Sequence, residues 1–199
     1  MTQTKRPFAA LMLVLCAGAA LSLPQAALAA DNEYAEPLTA LAQGQLLEIV
    51  SDPAVIAAIE AQNLVTASYD QAKIDALDLQ WRAEVSASAK PLIDEVLGND
   101  LSKYLMGVQA EAAGLFTEIF VTDAKGLNVG QSTVTSDYWQ GDEAKWQNTF
   151  LVGPGAVDLG EVEQDESTQA FQSQVSITIV DAAGNPIGAI TAGVDLAAL

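Results

Sequence analysis

Asp123-Ala124-Lys125-Gly126…Gly130 and Asp181-Ala182-Ala183-Gly184…Gly188 are two copies of one short pattern, and their reading decides the fold. An Asp carboxylate at the first position of a tight turn accepts hydrogen bonds from the backbone ahead of it. A Gly three residues on tolerates the positive φ demanded by a type I turn followed by a bulge. Each copy therefore predicts a β-hairpin, and strand-like segments flank both. Phe116 to Val121 runs into the first turn and Asn128 to Thr133 returns from it. Phe171 to Val180 and Pro186 to Asp195 do the same around the second, and Gly155 to Glu163 supplies a fifth strand. Val175, Ile177 and Ile179 alternate with Ser176 and Thr178, so that strand presents one apolar and one polar face.

Upstream of Gly114 the apolar period is that of a helix. Leu38, Leu41, Ala42, Gln45, Leu46, Ile49 and Val50 share one face. Asp52 followed by Pro53 predicts an N-cap and a first helical turn, with Val55, Ile56, Ala58 and Ile59 continuing the apolar stripe. Further helices start near Tyr69-Asp70, carrying Ile74, Leu77, Trp81 and Val85, at Pro91, and at Leu101. Gly98-Asn99 stops the Pro91 helix. The fold class is therefore α+β: long N-terminal helices (37–113) laid on one face of a five-stranded antiparallel sheet (115–196).

The N-terminus reads as a leader. Lys5 and Arg6 precede the apolar run Phe8 to Leu23, Pro24 breaks it, and Ala27-Leu28-Ala29 offers small residues for cleavage. Residues 1–30 are expected to be a cleaved secretory signal, leaving 31–199 as one domain, periplasmic or secreted and not inserted in a membrane. Leu15 stands before Cys16 where a lipidation site has a small residue, so no lipid anchor is expected.

Composition excludes whole classes of chemistry. The chain has 26 acidic and 8 basic residues; without Lys5 and Arg6 the basic count falls to 6 and the formal charge to −20. So acidic a surface repels nucleic acid and anionic membranes. There is no His, and the single Cys lies in the leader, which removes thiolate chemistry, Ser-His-Asp catalysis and imidazole metal ligation. The expectation is a non-enzymatic protein with neither metal nor cofactor. Glu161 and Glu163 with Asp165-Glu166 offer oxygens to Ca²⁺, but their spacing fits a polar hairpin end better than a calcium loop.

Between the second and third strands lies Ser136-Asp137-Tyr138-Trp139-Gln140-Gly141-Asp142-Glu143-Ala144-Lys145-Trp146, with a short helix expected over Asp142 to Phe150. Tyr138, Trp139 and Trp146 offer aromatic walls to a small ligand, or else seal the loop onto the sheet. Lys145 could pair a ligand carboxylate, or Asp142 or Glu143. Asp137, Asp142 and Asp195 are candidates for an amine or cation, and Glu118 either faces the same pocket or lies on an exposed strand face. Trp81, at helical spacing with Ile74 and Leu77, reads as core.

Three segments resemble the Cache sensor domains, a PAS-like extracytoplasmic family. "EIFVTDAKGLNVGQS" resembles the first Cache hairpin. "SDYWQGDEAKWQNTF" is similar to the loop where the family places an aromatic pair and a basic residue. "VSITIVDAAGNPIGAITAGVDL" resembles its last two strands. "SDPAVIAAIEAQN" and "IDALDLQWRAEV" are similar to its N-terminal helices. The resemblance implies a free-standing single-Cache protein that binds a small polar metabolite (amino acid, amine or carboxylate) between sheet and loop and lacks its own output domain. The alternative is an interaction module that regulates a separate membrane-bound sensor kinase or chemoreceptor.

Overall fold

A computed structural model describes residues 33–164 and 170–199; the leader and the Asp165-Glu166 pair lie outside them. The first helical stretch comprises α1 (Ala35–Leu41), a π turn (Ala42–Leu46) and α2 (Leu47–Val50). Then follow α3 (Pro53–Thr66), α4 (Gln71–Val85), α5 (Pro91–Gly98) and α6 (Asp100–Glu111). The Asp52 N-cap is where the sequence signals it, and Asp70 and Asn99, read there as a helix start and a helix stop, are N-caps as well. Asp52 accepts from Ala54 N at 2.8 Å, Asp70 from Lys73 N at 2.9 Å, and Asn99 from Ser102 N at 2.8 Å. Each satisfies a backbone donor that has no partner inside its helix.

The strands are β1 (Phe116–Asp123), β2 (Asn128–Gln131), β3 (Val157–Leu159), β4 (Glu163–Gln164), β5 (Phe171–Val180) and β6 (Pro186–Asp195). All pairings are antiparallel in the order β2-β1-β6-β5-β3, with β4 also on β5. The single strand expected over 155–163 is broken. Gly160 N still donates to Gln174 O at 2.7 Å, but the chain bends before β4.

Both hairpin turns have the same geometry. In the first, Gly126 N donates to Asp123 O at 3.0 Å and Asp123 N to Leu127 O at 2.9 Å; in the second, Gly184 N donates to Asp181 O and Asp181 N to Asn185 O, each at 2.9 Å. Gly126 and Gly184 have φ of +80° and +83°. Their carboxylates do the same local job: Asp123 Oδ1 accepts from Lys125 N and Leu127 N, Asp181 Oδ1 from Ala183 N and Asn185 N. They differ in burial. Asp181 is only half-buried, whereas Asp123 is fully buried and its Oδ2 also accepts from Thr66 Oγ1 at 2.8 Å and Gln62 Nε2 at 3.1 Å on α3.

The sheet's two faces diverge in character. Phe116, Ile119, Val121, Val175, Ile177, Ile179, Ile190 and Val194 meet Leu38, Leu46, Ile49, Val55, Ile59 and Leu105 in the main core. The opposite face carries Glu118, Phe120, Thr191, Ser176 and Gln174; the register places Phe120 and Ser176 on either side of Thr191. Helices α4 and α5, expected on the sheet, build a separate core instead: Ile74, Trp81, Ile93, Val96, Leu127 and Tyr138. Trp81 is core as expected, stacked on Tyr138 at 5.4 Å.

Glu84 joins these two helices by accepting from Gln80 Nε2 and from Leu92 N and Ile93 N at the start of α5. Burial pushes its carboxyl up, but those three hydrogen bonds outweigh it and hold it below the ordinary 4.5. The charged form is thus favoured by folding. Its contribution is complete above the unfolded value and lost as pH falls through the lower folded one. Glu84→Gln should therefore flatten acid-side stability below about pH 5, as measured by urea denaturation across pH. For the turns, Asp123→Ala should cost on the order of 3–5 kcal/mol by urea denaturation, because several buried donors lose their acceptor. The equivalent Asp181→Ala should cost a small fraction of that.

Candidate functional site

Folding of the 132–156 segment over the polar face follows from contacts with the first turn. Asn128 N donates to Tyr138 O at 3.0 Å and Gln140 N to Gly126 O at 2.7 Å, so residues 138–140 line up against 126–128. Trp139 Nε1 donates to Lys125 O at 2.8 Å and Trp146 Nε1 to Asp123 O at 3.2 Å. A Cβ added at Gly126 would lie 2.6 Å from Gly141 Cα, so the turn and loop touch backbone to backbone. From the helical side, Asp78 of α4 accepts from Tyr138 N at 2.9 Å and Trp139 N at 3.1 Å. Arg82, one turn along, bridges Asp78 at 2.6 Å and Asp137 at 3.0 Å.

These contacts give each aromatic candidate a structural task. Tyr138 stacks in the second core, where burial and then Asp123 push its phenol well above the ordinary range, so it stays neutral. Trp139 packs beside that core, and Trp146 stacks on Phe150 with centroids 4.9 Å apart. None of the three lines the cleft described next, so the structure places them in the seal between loop and fold. Asp142 is exposed and also outside the cleft. Asp195, a candidate for an amine or cation, lines neither part of the cleft; it accepts from Ala197 N at 2.9 Å, a turn made by the chain after β6.

The cleft lies on the polar face and has two parts. The outer part, about 390 Å³, is bounded by Glu118, Glu143, Lys145, Glu161, Glu163 and Gln174, with the backbones of Gly160 and Gly193. The inner part, about 80 Å³, shares Glu118, Lys145 and Gln174 and adds Phe120, Asp137 and Gln140. The bend between β3 and β4 makes the outer wall, and α7 (Ala144–Gln147) makes the opposite one. A Cβ at Gly193 would crowd Glu118 Cγ at 3.0 Å, so glycine there lets Glu118 lie across β6.

Charge in the cleft is mostly negative. Glu118, Asp137, Glu143, Glu161 and Glu163 face one cation, Lys145, whose side chain is only 16% exposed. Lys145 Nζ pairs with Glu143 at 2.8 Å and lies 5.4 Å from the centroid of the Phe120 ring. Glu118 accepts from Gln174 Nε2 at 3.0 Å. Asp137 is held by Ser136 Oγ and Gln140 Nε2 besides Arg82. The structure thus brings Glu118, Asp137 and Lys145 together and leaves out Tyr138, Trp139, Asp142, Trp146 and Asp195. Sequence reading missed Gln140, Gln174 and Arg82. Gln174 alternates with Ser176 and Thr178 on β5, which was the available signal; nothing local marks Arg82. Among the described residues, no group of acidic side chains is placed to hold a metal ion.

The element order reproduces what the three quoted segments imply: helices leading into an antiparallel sheet, with both turns and the intervening loop at the expected residues. The fold is α+β, helices followed by an antiparallel sheet. No family model matches the sequence, and no curated protein matches it. Among solved structures, the chain is similar to the sensor domain of the V. cholerae histidine kinase DctB (18% identity, 83% of this chain and 58% of that one, TM-score 0.37). It is also similar to the ligand-binding domain of the Pseudomonas aeruginosa PAO1 amino acid chemoreceptor PctC in complex with GABA (12%, 79% and 62%, TM-score 0.39). The E. coli DcuS sensor domain is a third (20%, 62% and 91%, TM-score 0.34). The chain spans about three fifths of the length of the first two. With scores this low, the overlaps carry nothing about the ligand, and the α+β assignment rests on the helices and sheet themselves.

Asp78→Ala should release the loop from α4. The expected loss is about 2 kcal/mol by urea denaturation, with faster hydrogen exchange at the Tyr138 and Trp139 amides that lose their acceptor.

Proposed function

We propose that this is an extracytoplasmic binding protein for a small polar metabolite, taken up in the cleft between the polar sheet face and the 137–146 loop. The observation that carries this is the cleft's charge: of its five carboxylates, Glu143 pairs with Lys145 and Asp137 with Arg82, which leaves Glu118, Glu161 and Glu163 without a cation. A concave site lined by one sign concentrates the opposite sign and repels its own. Of the amino-acid, amine and carboxylate ligands the Cache resemblance allows, a ligand with positive charge is the best fit and a simple dicarboxylate the worst. The lining holds neither His nor Cys.

The leader-like residues 1–30 support an extracytoplasmic location, and the absence of any Cys after Cys16 is compatible with it. Transfer of the bound state to a separate membrane sensor belongs to the same proposal.

A thermal-shift screen of amino acids, amines and organic acids tests the reading. A cationic or zwitterionic compound at about a hundred times its Kd should raise Tm by roughly 5–10 °C. Glu161→Gln/Glu163→Gln should weaken that compound without lowering the melting point of the free protein. A screen in which only dianions stabilise, or in which nothing does, sinks the proposal.

A further inference from the structure

A second concavity runs along the first helical stretch and shares no residue with the cleft. Its helical wall is one stripe, residues 37, 40, 41, 44, 45, 48 and 49, recurring at steps of three and four. Towards Pro37 the stripe bounds a groove of about 450 Å³, closed by Leu115 and Leu199. Towards Ile49 it bounds one of about 300 Å³, closed by Tyr104, Val108 and Glu111. Gln45 lines both, so they form one trough, roughly 18 Å long by the helical rise. Gly44 lies in the π turn on this wall and is exposed. A Cβ added there would meet no atom within 4 Å, so nothing inside the fold calls for glycine in mid-helix, where it is destabilising relative to alanine. What the missing side chain leaves is room for a close approach from outside. The charged side chains of the trough are Glu48 and Glu111, and neither forms an ion pair among the described residues. Burial, then the charges of Asp52 and Glu48, push the phenol of Tyr104 above its ordinary 10.0, so this end is electronegative.

We propose that this trough docks one amphipathic helix of a separate protein, its apolar stripe laid over Gly44 and its Lys or Arg side chains set against Glu48 and Glu111. The length suits about three helical turns, and the absence of a side chain at Gly44 lets the two helix axes come to the short end of the usual packing distance. Charge selects the occupant. No Lys or Arg stands between residues 33 and 72, where Glu33, Glu36, Glu48 and Asp52 all lie. A second copy seated here about a two-fold axis would bring those acids against the same acids, whereas a basic helix meets them with opposite charge. This goes beyond the reading of the cleft and does not depend on it.

The test is fluorescence anisotropy of two labelled, end-capped helical peptides with protein expressed from the full-length chain. Both peptides carry the same Leu/Ala stripe; one has Lys beside it and the other Glu. The Lys peptide should bind and the Glu peptide should not measurably. Glu48→Lys/Glu111→Lys should weaken the Lys peptide by about tenfold or more. Glu60→Lys/Glu95→Lys makes the same change in net charge on α3 and α5, outside the trough, and should leave binding within about twofold. Gly44→Gln should weaken the Lys peptide by about tenfold without lowering the melting temperature, because glutamine is the better helix former and meets nothing in the fold. All five positions are exposed, so each variant should fold. Equal weakening by the two charge variants, binding unchanged in Gly44→Gln, equal binding of the two peptides, or no binding of the Lys peptide overturns the docking site. A dimer of the free protein in sedimentation that Gly44→Gln dissolves also overturns it, because the trough then belongs to a second copy. None of these results bears on the cleft, whose screen uses small molecules.

Discussion

The fully buried Asp123 carboxylate holds three parts of the molecule to one point. Oδ1 closes the first hairpin turn, Oδ2 receives Thr66 and Gln62 from α3, and the residue's own carbonyl receives the indole of Trp146 from the loop. A charged group removed from water persists only if donors replace its hydration, and here four do so. The consequence is geometric. Sheet, helix layer and loop cannot shift relative to one another without leaving a buried carboxylate short of donors. Asp181, in an identical turn, reaches only its own hairpin and Asn185, and nothing else is built on it.

From that anchor the cleft follows. With the apolar face of the sheet committed to the helices, the polar face of β1, β5 and β6 needs a cover that can accommodate Glu118, Ser176 and Thr191. Within the sheet Ser176 and Thr191 hydrogen-bond to each other and Gln174 donates to Glu118; the loop with its four-residue helix covers this face and leaves a gap. The bend between β3 and β4 bounds the gap, and Glu118, Glu143, Glu161 and Glu163 line it. The Lys145–Glu143 pair relieves part of their repulsion and leaves the remainder available to a cation.

Much of this architecture was legible locally. The turn residues, the Asp52 cap and the β5 and β6 limits follow from side-chain-to-backbone hydrogen bonds within a few residues, or from a two-residue period. The site was legible only in part. Glu118 and Lys145 could be singled out because a charged residue between aromatics on a strand, or beside a tryptophan, is locally odd. The aromatic residues misled for the same reason: a tryptophan's need for an acceptor looks identical whether it faces a ligand or a backbone carbonyl, and here Lys125 and Asp123 supply the carbonyls.

By itself, then, the sequence determined what is local or compositional: where helices begin, where strands reverse, which strand face is apolar, and which chemistries are absent. Only the tertiary structure decided which of two identical turns is buried, and that α4 and α5 form their own core around Trp81. The reason is physical. Turn and cap energies depend on neighbours within about four residues. Burial and the sharing of hydrogen bonds among Asp78, Arg82, Asp123 and Asp137 depend on partners 55 to 61 residues away in the chain, which no local pattern records.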